Sequence, residues 1–199
     1  MPADTPGAVA EALLTFLRRL DEAGLAYVIV GSMASNVHGT PRLSQDVDVV
    51  VALSPRDLPP LVASLAPDFY VPQDTAQRAV TARSSFGILH LRTMQKIDVF
   101  VAGDSVFDRE QFERRARVPL VAGQPSDVWI LSPERLVVSK LRWYRKGGHV
   151  SEQQWRDVLG ILKVQGDRLD LDDLKRAAAQ VGVMDLLQQA LQQAGLPAG

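Results

Sequence analysis

The stretch Asp46-Val47-Asp48-Val49-Val50-Val51 restricts this chain more than any other. A Val-rich run of this kind reads as a buried strand. Side chains alternate faces along a strand, so Asp46 and Asp48 point the same way out of an otherwise apolar element. Two carboxylates on one face repel each other and are costly to desolvate. A divalent cation removes that difficulty, and carboxylate oxygens are the ligands Mg²⁺ prefers. A third acid, Asp98, stands in a second run, Lys96-Ile97-Asp98-Val99-Phe100-Val101. There Ile97, Val99 and Val101 share one face and Lys96, Asp98 and Phe100 the other. Taken singly, each acid is better explained as a cap, a surface charge or half of a salt bridge. The ordered set points to metal chemistry: acids on adjacent strands can hold two metals roughly 3.5–4 Å apart, activating a hydroxyl and stabilising a leaving oxygen.

The surrounding pattern alternates helices and strands. Ala8 to Ala23 has helical periodicity, with Leu13, Phe16, Leu17 and Leu20 on one face and Gly24 as terminator. Tyr27 to Val30 reads as a buried strand stopping at Gly31, and Met33 to His38 as a short helix. Asp46 to Val51 is the next strand, and Pro55 to Leu65 and Thr75 to Arg83 are helices. Phe86 to Arg92 and Lys96 to Val101 form a hairpin through Thr93, Met94 and Gln95. Val118 to Val121 and Val128 to Leu131 add short strands. Ser132-Pro133 is a helix start, and from there Pro133 to Tyr144, Glu152 to Val164, Leu171 to Ala179 and Met184 to Gln193 are all helical. The expected class is α/β (α+β), a sheet-based part followed by a helical bundle.

Composition narrows the function classes. Cys is absent, which excludes disulfides, thiolate chemistry and a Cys-type zinc site. His38, His90 and His149 lie far apart without metal-ligand spacing and read as structural or solvated. A run of about 18 apolar residues is lacking, so no membrane span is expected. The opening MPADTPGAVA has no basic region followed by an apolar stretch, which predicts a cytoplasmic protein. The formal net charge is -1, so the molecule as a whole does not attract nucleic acid.

Upstream of the acid pair, Gly31-Ser32 lies between a strand and a helix start. Gly permits close approach of a phosphate, the following amides suit an anion, and Ser32 can add a hydroxyl donor. The order is strand, Gly31-Ser32, thirteen residues, Asp46-x-Asp48 and then Asp98. It resembles the signature of the DNA polymerase β nucleotidyltransferase superfamily, over roughly residues 25 to 101. The resemblance implies a mixed sheet with flanking helices, a nucleoside triphosphate substrate and two Mg²⁺ ions. It further implies transfer of a nucleoside monophosphate to an acceptor hydroxyl. Carried over, Gly31 and Ser32 bind the triphosphate, Asp46 and Asp48 bind both metals, and Asp98 joins them and helps activate the acceptor. Residues 1–131 would form the catalytic domain and 132–199 a C-terminal helical subdomain.

Arg42 and Ser44 before the acid pair, and Lys96 two residues before Asp98, are similar to AbiE-type nucleotidyltransferases associated with toxin–antitoxin systems. Lys140 in Leu136-Val137-Val138-Ser139-Lys140-Leu141, followed by Arg156-Asp157, resembles that group's C-terminal motif, without its longer run of charged residues. By that likeness Arg42, Ser44 and Lys96 lie on the nucleotide side, Lys140 contacts the triphosphate and Asp157 assists. An interhelical salt bridge explains Lys140 and Asp157 as well, and Arg42 and Ser44 also suit a loop cap and a turn. Arg135 to Lys146 interleaves five basic residues with Trp143 and Tyr144. Such a segment can grip RNA, although an amphipathic helix with a packed Trp and solvated charges is the plainer expectation.

Three function classes follow. One is a toxin-type enzyme acting on an RNA such as tRNA, with a cognate antitoxin or toxin partner. The second nucleotidylates a protein or a small molecule, in the manner of antitoxin-type or aminoglycoside-modifying enzymes. The third is a nucleotide-binding module without turnover.

Overall fold

The computed structural model describes residues 6–120 and 127–197. In chain order the elements begin with α1 (Pro6–Glu22), β1 (Tyr27–Ile29), α2 (Gly31–His38), β2 (Asp48–Val51), α3 (Leu58–Leu65) and β3 (Phe69–Tyr70). Next come α4 (Gln73–Ala82), β4 (Ser85–His90), β5 (Lys96–Val101), α5 (Val106–Glu113), β6 (Arg115–Pro119) and β7 (Asp127–Leu131). The helices α6 (Pro133–Lys146), α7 (Glu152–Gln165), α8 (Leu171–Gln180) and α9 (Met184–Ala194) follow, with a 3-10 turn at Gly166–Arg168 after α7.

The two aspartate-bearing runs build the middle of a sheet because Val49, Val51, Ile97, Val99 and Val101 all face a buried side. The seven strands among the described residues run in the order β3-β4-β5-β2-β1-β7-β6. The pairs β2–β5 and β1–β7 are parallel, while β1–β2, β3–β4 and β4–β5 are antiparallel. The sheet is therefore mixed, as expected, and the last third of the chain is helical. Leu13, Phe16, Leu17 and Leu20 of α1 are buried, and the Phe16 ring meets Phe69 edge-on at 6.0 Å.

The chain divides into two compact units, Met1–Ser32 with Ser44–Ile130, and Met33–Leu43 with Leu131–Gly199. The second unit thus takes most of α2 and the loop after it together with the C-terminal helices. Its core is Leu136, Val137, Val138 and Leu141 of α6 with Val158, Ile161, Leu174, Leu187 and Leu191 from the later helices. Gly39 lets the end of α2 sit against α7, since a Cβ there would lie 3.0 Å from the Ile161 backbone nitrogen. Ser132 caps α6 by accepting from the Arg135 amide, with Pro in the first turn.

Several boundaries differ from expectation for physical reasons. β2 starts at Asp48, so Asp46 belongs to the preceding loop. α2 starts at Gly31 rather than Met33. α5 has weak apolar periodicity and is signalled only by its capping box, in which Ser105 and Asp108 each bond the other's backbone amide. β6 begins at Arg115, where arginines mask a strand, and Val121 lies outside the described residues. The α6 expectation fails in two ways. Trp143 is half-exposed with the Lys146 ammonium 4.9 Å from its ring, and Arg135 and Lys140 are buried rather than solvated. Arg135 reaches Asp173 on α8 at 3.1 Å, and a buried guanidinium needs such a partner.

Candidate active site

Parallel pairing of β2 with β5 puts Asp48 and Asp98 opposite each other as register partners. The register continues outward, because Asp98 is also the partner of Gly87 on β4. On the other side the Val30 amide donates to the Asp48 carbonyl at 3.0 Å. Asp48 and Asp98 are half-buried while the residues on either side of each are buried, so both carboxylates share the open face of the sheet. Neighbouring strands lie about 4.8 Å apart, and like charges directly opposite destabilise a sheet. Lys96 offsets part of that repulsion, with its ammonium 2.7 Å from Asp98 Oδ1.

Glycine flanks this row on both sides. Gly31 has φ +64, and a Cβ there would lie 1.9 Å from Asp48 Oδ2. Both the backbone and the contact thus demand glycine at the point where α2 begins. At Gly87 a Cβ would lie 2.8 Å from Lys96 Cε and 3.5 Å from Asp98 Oδ1. Glycine inside a strand signals a close approach, and this one went unread in the sequence.

Asp46 is exposed in the loop before β2, separated from Asp48 by the buried Val47. The loop is fastened at several points. The Ser32 hydroxyl donates to the Asp46 carbonyl at 3.1 Å, and the Asp46 amide donates to the Ser44 hydroxyl at 3.3 Å. Gln95 Nε2 donates to the carbonyls of Gln45 and Lys96, at 2.7 and 2.8 Å. Ser32 and Ser44 therefore shape the loop that carries Asp46. Gln95 was missed because a hairpin-turn glutamine has no distinguishing sequence signal.

Arg42, Lys140 and Asp157 are brought together in the second unit. Arg42 Nε lies 3.1 Å from Asp157 Oδ1, and Lys140 Nζ 2.8 Å from Asp157 Oδ2. Lys140 also donates to Gln154 Oε1 at 3.2 Å. The interhelical salt bridge between α6 and α7 is present, with side-chain exposures of 5% for Lys140 and 7% for Asp157. Burial pushes the Asp157 carboxyl up, but the bonds from Arg42 and Lys140 outweigh it and hold it below the ordinary carboxylate value. Asn36 on α2 clamps Arg42 through its backbone, donating to its carbonyl at 2.8 Å and accepting from its amide at 3.0 Å. The three histidines have structural partners: His38 with the Leu131 carbonyl, His90 with Thr93, and His149 against the Tyr144 ring.

Among the described residues no three His, Asp or Glu side chains converge as a ready metal site. The donor chemistry of the row nevertheless fits a hard divalent cation. Asp48 and Asp98 supply carboxylate oxygens in register, and the Cβ-free edge at Gly31 leaves the Asp48 carboxylate room. Asp46 stands two residues from Asp48 with its carboxylate exposed.

No protein-family model matches the chain, and no curated protein sequence matches it. Solved structures do. An antigenic nucleotidyltransferase-like protein from Paracoccidioides brasiliensis aligns with a TM-score of 0.54 at 22% identity, over 92% of this chain and 88% of that one. The antibiotic-resistance factor ANT(2'')-Ia aligns with a TM-score of 0.53 at 15% identity, over 92% of this chain and 97% of that one. No helix among the described residues is long and apolar enough to cross a membrane. The mixed sheet, the helical C-terminal part and these alignments give the chain a nucleotidyltransferase-type fold.

Proposed function

We propose that the chain is a Mg²⁺-dependent nucleotidyltransferase that moves a nucleoside monophosphate from a nucleoside triphosphate to an acceptor hydroxyl. The observation that carries this reading is the in-register pair Asp48 and Asp98 beside the left-handed Gly31, within a nucleotidyltransferase-type fold. Asp46, Asp48 and Asp98 would hold the metal. When bound, Mg²⁺ would supply positive charge that offsets the phosphates and lowers the acceptor hydroxyl's pKa.

The chain's own residues do the rest. The Cβ-free corner at Gly31 and the amides opening α2 receive the triphosphate. Ser32, Ser44 and Gln95 hold the Asp46 loop in place. Asp98 takes the acceptor's proton, and Lys96 holds the Asp98 carboxylate until the site is loaded. Attack on the α-phosphorus forms the new ester bond and breaks the bond to the β-phosphate oxygen, releasing pyrophosphate. Positioning and electrostatics carry the rate. Arg42, Lys140 and Asp157 act as a positioning cluster within the second unit, because each cation is spent on one carboxylate.

The acceptor in this proposal is an RNA end, as the likeness to AbiE-type enzymes implies, with a toxin or antitoxin partner and a cytoplasmic setting. A small-molecule hydroxyl is the second reading. It is favoured by the net charge of -1 and by the alignment with an antibiotic-resistance factor. Each α-labelled triphosphate would be incubated with Mg²⁺ and either total tRNA, a cell lysate or an aminoglycoside panel. An Asp46→Ala/Asp48→Ala variant serves as control. Label on RNA that the control lacks establishes the first reading, and label on a drug establishes the second. A labelled protein band makes the acceptor a protein. Absence of transfer to all three sinks the enzyme assignment.

A further inference from the structure

A second polar site lies at the start of β1, at the opposite end of that strand from Gly31. It is an open cleft of about 220 Å³ in the first unit, walled by Asp21, the segment 24–27, Arg115 and Trp129. β6 is the last strand of the sheet, and Arg115 and Arg117, two apart along it, share one face. Trp129 on neighbouring β7 meets both: the guanidinium carbons lie 4.3 Å and 5.3 Å from its ring centroid. Phe112 stands 6.0 Å from Arg115. Arg115 Nη1 donates to the Tyr27 carbonyl at 2.8 Å, which fixes the plane of a group with five donors.

Arg117 Nη2 also donates to the Asp127 carbonyl at 3.4 Å, so backbone carbonyls hold two like charges beside one indole, where they repel each other. Burial pushes the Arg115 pKa below the ordinary arginine value even though Asp21 pulls it the other way. An anion in the cleft would relieve both effects. Asp21, which also lines the cleft, disfavours a ligand that is anionic throughout and suits one that also offers donors. The stacked indole and guanidiniums add a flat surface, which is how aromatic and Arg side chains take up bases.

We propose that this cleft binds a nucleotide unit. Its phosphate lies on Arg115 and Arg117, its base lies along the Trp129–guanidinium stack, and Asp21 accepts from a ribose hydroxyl or an exocyclic amine. The unit comes from a free nucleotide or from a single strand, and both present the same chemistry. Binding here needs neither the carboxylate row nor a metal, so this site and the transfer site fail separately.

The test uses AMP and a mixed-sequence RNA decanucleotide as probes, each titrated in EDTA against the full chain and an Asp48→Asn/Asp98→Asn variant. Both proteins are expected to bind alike. Trp129→Leu is expected to weaken binding by about fivefold or more. Arg117→Gln, an exposed change, is expected to lower the salt slope of decanucleotide binding by about one. AMP bound as well as the decanucleotide identifies a free-nucleotide site, and a decanucleotide bound at least tenfold tighter identifies a strand site. The proposal is overturned if neither probe binds the wild-type chain. It is equally overturned if folded Trp129→Leu and Arg117→Gln proteins bind as wild type does.

Discussion

The two charged clusters of this molecule are built from the same side-chain types and behave differently. In the first unit Lys96 pairs with Asp98 in the open, with side-chain exposures of 64% and 31%. In the second, Lys140 and Asp157 pair almost wholly out of water, and Arg42 completes the set. An exposed pair is worth roughly 0–1 kcal/mol and can be rearranged by a ligand at little cost. A buried pair cannot, because separating it leaves an uncompensated charge in a medium of low dielectric. The first cluster can thus exchange partners with a ligand at little cost, and the second is suited to hold α6, α7 and the Arg42 loop in one arrangement.

The largest effect that could break this comparison is on transfer. Asp48→Asn and Asp98→Asn are each expected to lower kcat/KM by about 10³, the scale on which a transition-state charge contact contributes. Thermal unfolding should stay unchanged or rise slightly, because a like-charge contact is removed. A collapse of Tm with the activity would make the acids structural and erase the contrast.

The second unit should respond the other way. Asp157→Ala is expected to lower unfolding free energy by about 3 kcal/mol in urea titration, since it removes the carboxylate that balances the charge of the buried Lys140 ammonium. A loss below about 1 kcal/mol would mean the pair behaves like a surface one. Lys96→Met sharpens the contrast, with an expected stability change under about 1 kcal/mol and a clear change in Mg²⁺ dependence of transfer.

The smallest effect is in acid. Asp157 is held below its ordinary value, so the unfolded chain binds the proton first as pH drops. Its stabilisation is present above about pH 4 and is lost as pH falls through the lower folded value. Emission from Trp143 and Trp155, both in the second unit, should report this acid limb, and Asp157→Asn should remove it.

The resemblance of the motif order implied the mixed sheet, while sequence patterning by itself determined the two apolar strands with their acids on one face, the hairpin through Gln95 and the helical C-terminal third. These last three follow from period-2 and period-3.6 patterning and from local caps, which act over a few residues. It named Asp46, Asp48 and Asp98 together, but Asp46 turned out to be a loop residue, because ladder pairing rather than alternation sets where β2 begins. Only the tertiary structure decided that Asp48 and Asp98 are register partners, that Gly31 and Gly87 open the two sides of that row, and that Gln95 fastens the loop. It also decided that Arg42 reaches Asp157 across 115 positions of chain, and that Arg115 and Arg117 stack on Trp129. Register, burial and long-range ion pairing depend on which elements meet, and no local pattern encodes which partner a charge finds when the chain closes on itself.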